Sequence, residues 1–114
     1  MTEPSRQTVG HDAPVFRFAP SPNGRLHLGH ALSALLNADM AEKMGGRFLL
    51  RMEDIDPPRE APGAQAAILH TLESYGLHWD GAVVYQSQHH DAYAVVVQRL
   101  FQQGLAYACT CSRK

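Results

Sequence analysis

An α/β unit built on parallel strands is predicted from three observations in residues 15–52. Phe16 and Phe18 flank Arg17 in a period-two pattern, the mark of a short strand. After a break at Pro20, Pro22, Asn23 and Gly24, an apolar pattern at helical spacing runs from Leu26 to Ala41. The run R-F-L-L-R-M, beginning at Arg47, then reads as a buried strand. Strand, helix and strand of these lengths make a βαβ crossover, the half-unit of a Rossmann-like sheet. Ligands of such sheets sit at the carboxyl ends of the strands, which here means the loops after Phe18 and Met52.

Size and composition bound the rest. The 114 residues suffice for one modest domain with one core. With 45% hydrophobic and 18% charged residues, the chain is globular and not disordered. A formal net charge of −1 gives no global basic signal for nucleic acid, although a local RNA surface depends only on how charge is distributed. No apolar run approaches a membrane span and no signal-peptide core opens the chain, so no membrane partner and a cytoplasmic location are expected. Cys109 and Cys111 are the only cysteines, too few for a disulfide framework.

Taken in order, residues 1–14 mix Ser, Thr, Gly, Pro and charge without periodicity and read as a flexible leader, His11 and Asp12 included. The first helix, from His27 to Met44, has a broad apolar face of Ala31, Leu32, Leu35, Leu36, Ala38 and Met40. Asp39 and Lys43 form an i,i+4 pair on its wet side, and Gly45 caps its end. Pro62 suits the first turn of a second helix with the stripe Ala64, Ala67, Ile68, Leu72 and Tyr75, closed by Gly76. Trp79 packs on the core and Asp80-Gly81 turns into a short strand at Val83–Tyr85. Ser87 can cap a third helix, whose stripe is Tyr93, Val96, Val97, Leu100 and Phe101. His89, His90 and Asp91 form its polar first turn. Gly104 ends it, and Leu105 to Ala108 reads as another short strand.

Several residues admit a bland and a chemical reading. Arg17, on the strand face opposite the phenylalanines, is either a surface arginine in an ordinary ion pair or a planar donor fork for a carboxylate. Ala19 and Ser21 are loop residues by themselves, one leaving room near the backbone and the other offering a hydroxyl. His27 and His30 are either helix-cap histidines or donors to phosphate oxygens, and Gly29 between them would let a flat ring approach the backbone. Glu53, Asp54 and Asp56 invite a magnesium ion, yet pairing with Arg51 and Arg59 is as natural. Cys109 and Cys111 are either free thiols or half of a zinc site, since structural zinc takes four ligands.

F-R-F-A-P-S-P-N-G-R-L-H-L-G-H, residues 16–30, resembles the first nucleotide-binding signature of class I aminoacyl-tRNA synthetases, whose usual form is H-I-G-H. R-F-A-P-S-P-x-G narrows the resemblance to the glutamyl and glutaminyl branch. E-D-I-D-P-P-R-E at 53–60 and C-T-C-S-R at 109–113 narrow it to the glutamyl-Q tRNA(Asp) synthetase family. The resemblance runs from Val15 to Arg113 and covers only the first part of that family's length. It implies a partial Rossmann-like fold, with residues 15–108 the N-terminal half of the catalytic domain and 109–114 the start of a truncated zinc-binding insertion. The implied chemistry is ATP-dependent activation of glutamate, with Mg2+, and transfer to queuosine in the anticodon of tRNA(Asp) by an enzyme that is a monomer when full length. His27 and His30 would serve catalysis and, with Gly29, bind ATP. Arg17, Ala19, Ser21 and Glu53 would bind glutamate, Arg17 at the distal carboxylate and Glu53 at the ammonium. Asp54 and Asp56 would orient their loop. Cys109 and Cys111 would bind Zn2+, with a tyrosine and a third cysteine farther on. The family's K-M-S-K-S-like signature does not occur in these residues, so weak or absent activity is expected of the 114 residues alone. Two alternatives stand beside this reading: a glutamyl-tRNA synthetase charging tRNA(Glu), and a non-catalytic nucleotide-binding remnant.

Overall fold

The computed structural model describes residues 12–112; the expected leader lies largely outside that range, as does Arg113 of the cysteine motif. Three strands, β1 (Val15–Phe18), β2 (Arg47–Met52) and β3 (Val84–Tyr85), form one sheet in the order β1-β2-β3. Both pairings are parallel, with Val15 opposite Arg47, Phe18 opposite Leu50, and Met52 opposite Tyr85. Helix α1 (Leu28–Lys43) crosses from β1 to β2, and α2 (Ala64–Ser74) from β2 to β3. A third helix, α3 (His90–Gln102), follows a 3-10 turn at Gln86–His89. The expected βαβ crossover is therefore present, and extended by a second one.

Strand alternation fixes which side is dry. Phe18, Phe48, Leu50 and Met52 point to one face and are at most 5% exposed, while Arg17, Leu49 and Arg51 take the opposite face. Ile68 and Leu72 of α2, with Leu77 beyond it, complete one core cluster with this face. Trp79 packs at its margin as expected. Truncating the fully buried Ile68 or Leu72 to alanine would cost about 2–5 kcal/mol.

Helix α1 meets the sheet through alanines: of the expected face Ala31 is buried and Ala38 packs on the core, while Leu32, Leu35, Leu36 and Met40 are exposed. Ala31, Ala34 and Ala41 are buried, whereas Leu32 is 66% exposed and Leu36 52%. Small side chains let the helix axis approach the sheet closely, which leaves the leucines on the far side. The helix ends in a Schellman motif: Gly46 N–H donates to Ala41 O at 2.8 Å and Gly45, at φ 61°, donates to Glu42 O at 3.3 Å. Gly46 is required for a different reason. A Cβ there would run into the carbonyl oxygen of Pro14, which accepts the Arg47 N–H at 2.9 Å.

Four other expectations differ. Pro62 precedes the second helix, which starts at Ala64 behind Gly63 in a left-handed conformation. Ser87 does not cap α3; its hydroxyl is bonded to Asp54. The apolar stripe of α3 is exposed, Val96 at 51% and Phe101 at 57%, because among the described residues that helix packs on little but its own leading turn. Leu105–Ala108 forms no strand: it pairs with neither free edge of the described sheet, β1 or β3.

Candidate active site

The loop from Ala19 to His27 is built to be rigid. Pro20 and Pro22 are buried, and their carbonyls accept the N–H groups of Glu53 and Ala61, each at 2.9 Å. Proline fixes φ and has no N–H of its own to satisfy, so both residues act here purely as acceptors. The Asn23 N–H closes a tight turn on Ser21 O at 2.9 Å. The loop after β1 is thereby tied both to the loop after β2 and to the approach to α2.

A cavity of about 600 Å³ opens beside this loop, a size suited to a small-molecule ligand. Its lining includes Arg17, Ala19, Ser21 and His30, four of the residues singled out from the sequence. Asn23, Arg25 and Ser33 line it too and were not anticipated. Ser33 could have been: it lies one helical turn beyond His30, on the same face. Gly29, His27 and Glu53 are not among the lining residues.

The two histidines form a reciprocal cap. His27 is the N-cap of α1; its Nδ1 accepts the Gly29 N–H at 3.1 Å, while the His27 N–H donates to His30 Nδ1, also at 3.1 Å. Two of the unpaired donors at the helix start are satisfied by imidazoles in place of the usual Ser and Glu. The rings stack with centroids 3.8 Å apart, and His30 meets the edge of Phe18 at 6.4 Å. An Nδ1 that accepts must be unprotonated, so each neutral ring carries its proton on Nε2. Burial, and then the neighbouring His27, hold the His30 pKa below its ordinary value, which favours the same neutral form. The two rings lie at a 32° tilt, and Nε2 of each stays outside the cap. Gly29 serves this pair directly: a Cβ on it would lie 3.0 Å from His27 Cε1. The cap bonds use one nitrogen of each ring and leave the other outside the cap.

At the end of β2 the acidic residues are engaged by protein groups. Glu53 Oε1 is 2.8 Å from an Arg51 guanidinium nitrogen, and Asp56 is 3.4 Å from Arg59. Asp54 accepts two bonds from Ser87. Arg51 Nε is buried without a partner. Asp80 was missed as a structural residue: its carboxylate accepts the Phe48 N–H at 2.8 Å and its own N–H donates to Phe48 O at 2.7 Å. Among the described residues no group of three or more His, Cys, Asp or Glu side chains is placed to hold a metal ion. Cys109 and Cys111 are exposed, and the Cys111 N–H donates to Cys109 Sγ at 3.4 Å. Bonds from Cys111 hold the Cys109 thiol below its ordinary pKa, which favours the thiolate that zinc requires. Two thiols are half of the four ligands that structural zinc takes.

Over residues 15–114 the sequence matches the family described as tRNA synthetases class I (E and Q), catalytic domain. It is 64% identical over 107 residues to the glutamyl-Q tRNA(Asp) synthetase of Pseudomonas putida, covering 94% of this chain and 36% of that protein. The corresponding protein of Pseudomonas fluorescens is 66% identical over 100 residues, covering 88% of this chain and 34% of its own length. A solved structure of glutamate-tRNA synthetase from Elizabethkingia anophelis is similar with a TM-score of 0.76 at 35% identity, over 80% of this chain and 20% of that one. The chain spans about a third of the length of the curated relatives it matches. With its parallel sheet, its signature loop and its paired histidines, the chain belongs to the class I tRNA synthetase catalytic-domain family for glutamate and glutamine.

Proposed function

We propose that these residues supply the histidine-signature wall of an active site that joins glutamate to AMP and then passes the glutamyl group to queuosine in the anticodon of tRNA(Asp). The observation that carries this reading is the reciprocal histidine cap beside the cavity lined by Arg17, Ala19 and Ser21. A glutamate carboxylate attacks the α-phosphorus of ATP, a new C–O–P linkage forms, and pyrophosphate leaves. The Nε2–H groups of His27 and His30 donate to phosphate oxygens as their charge grows, without first having to take up a proton. Their cap bonds hold them in place beforehand, so little reorganisation accompanies the step.

Arg17 binds the distal carboxylate of glutamate with its donor fork, and Ser21 adds a hydroxyl bond beside the small Ala19. Glu53 takes the ammonium, and the Arg51 pair holds its carboxylate ready. Magnesium would enter with ATP and would offset phosphate charge. Cys109 and Cys111 would hold zinc with two further ligands, in a structural role at the start of an insertion. The enzyme works as a monomer in the cytoplasm.

Identity of 61–66% to eight glutamyl-Q tRNA(Asp) synthetases, against 35% and 36% to glutamate-tRNA synthetase structures, supports queuosine as the acceptor over the 3′ end of tRNA(Glu). The test uses these residues completed with the remaining two thirds of the Pseudomonas putida relative. Radiolabelled glutamate should pass to queuosine-containing tRNA(Asp) and not to tRNA(Glu). Transfer to tRNA(Glu) alone would favour the ordinary synthetase. ATP binding with no glutamate transfer to either would favour a non-catalytic nucleotide-binding protein.

A further inference from the structure

Backbone pairing between β2 and β3 ends at Met52 and Tyr85. Two residues beyond each of those positions the two chains are joined again, by side chain. Asp54 Oδ1 accepts the Ser87 N–H at 2.9 Å, and Asp54 Oδ2 accepts the Ser87 hydroxyl at 2.6 Å. One carboxylate thus takes both donors of one serine across 33 residues of sequence. Burial pushes the Asp54 carboxyl up, but the Ser87 bonds, its own backbone N–H and the nearby His90 outweigh this and keep it ionised. With both oxygens committed to Ser87, Asp54 is turned toward a protein partner. Its neighbour Glu53 donates its backbone N–H to Pro20 O, in the loop that lines the cavity.

We infer that Asp54 and Ser87 together are positioning residues for glutamate recognition, acting through Glu53. The inference rests on the functional reading above, in which Glu53 receives the ammonium. Glu53 is held from three sides. Its backbone is bonded to the loop after β1, its side chain is paired with Arg51, and the residue after it is locked to the turn after β3. The carboxyl ends of all three strands are thereby joined at one place. Loss of the Asp54 lock frees the peptide that carries Glu53, while the histidine cap on α1 is untouched. The defect is therefore specific to glutamate and spares ATP. A carboxylate suits the task because it offers two separate acceptors and no donor, matching the paired donors of a serine N–H and O–H. A lock that served only to anchor α3 would lower stability without separating the two substrates.

The experiment measures glutamate-dependent pyrophosphate exchange in the completed chain, with KM determined separately for glutamate and ATP. Asp54→Ala should raise the glutamate KM about tenfold or more, as expected for a small misplacement of a contacting group, and leave the ATP KM within about twofold. Ser87→Ala should act in the same direction. The double variant should be no worse than Asp54→Ala, because the two residues form one unit. Asp54→Asn keeps the shape and one acceptor, and should be intermediate; it also serves if the alanine variant folds poorly. Ser87→Thr keeps the hydroxyl and should restore near-normal glutamate KM. Equal rises in both KM values, additive effects in the double variant, or an unchanged glutamate KM would overturn the inference. A completed wild-type chain with no glutamate-dependent exchange would overturn the functional reading and this inference together, whereas normal kinetics in Asp54→Ala would overturn this inference alone.

Discussion

Replacing His27 by asparagine should leave helix α1 as stable as before and yet remove most of the activity. In the structure His27 Nδ1 accepts the Gly29 N–H at 3.1 Å, and the other ring nitrogen has no part in the cap. Asparagine is among the best N-caps, so its side-chain oxygen replaces Nδ1. Nothing replaces the Nε2–H. Alanine removes both functions. Loss of a cap costs about 1 kcal/mol, which lowers Tm by roughly 4–8 °C in a domain of about 100 residues. Loss of one preorganised donor to a developing anion costs roughly 3 kcal/mol of barrier, or about a hundredfold in rate. Thermal unfolding of the 114-residue chain, followed by circular dichroism, should therefore rank wild type and His27→Asn together above His27→Ala. Pyrophosphate exchange in the completed chain should instead group both variants far below wild type. An asparagine variant as unstable as the alanine one would refute the cap. One with full activity would refute the donor role.

Three further outcomes follow from the same geometry. Gly46→Ala should destabilise the chain by about 1–3 kcal/mol in urea unfolding, because the new Cβ presses on the Pro14 carbonyl and disturbs its bond from Arg47. The His30 pKa is depressed below its ordinary value of 6.5, so the folded state favours the neutral ring; that contribution is complete above pH 6.5 and is lost as pH falls through the lower folded value. Unfolding midpoints measured as pH is lowered from 6.5 should accordingly decline more steeply in wild type than in His30→Ala. Metal analysis should find no stoichiometric zinc in the 114-residue chain, where Cys109 and Cys111 supply two of four ligands, and one zinc per completed chain; tightly held zinc in the shorter chain would contradict that ligand set.

How much of this was legible in the sequence depended on the range of the interaction. Turn chemistry at Pro20, Pro22 and Gly24, and alternation through Phe16 and Phe18, are local signals, and they delivered the strand, the loop and the parallel crossover. The three-residue spacing of His27 and His30 likewise brought their rings together at a helix start. Helical periodicity marks α1 as a helix, but the broad apolar face expected of it mixes alanines with leucines. Closeness of approach selected the alanines instead, which only the packing reveals. Leu105–Ala108 has the composition of a strand, yet it joins neither edge of the described sheet. Asp54 with Ser87 and Asp80 with Phe48 are joined across 33 and 32 residues by side-chain bonds. No periodicity records such bonds, and each required the fold before it could be seen. Glu53 illustrates the same limit: its place after β2 was foreseeable, while its pairing with Arg51 in preference to Arg59 was one of several open choices.

The central claim is that these residues hold one wall of a glutamate-activating site. Glutamate-dependent exchange of pyrophosphate into ATP, measured before any tRNA is added, tests it most directly. The 114 residues alone should give little or no exchange, since they span about a third of the length of the curated relatives and lack the K-M-S-K-S-like signature. The same residues completed with the remainder of the Pseudomonas putida relative should exchange with glutamate, and lose that exchange in His27→Ala and Arg17→Ala by different routes: phosphate stabilisation in the first, a raised glutamate KM in the second. Robust exchange by the 114 residues, or none by a completed chain that is folded and binds ATP, would contradict the account.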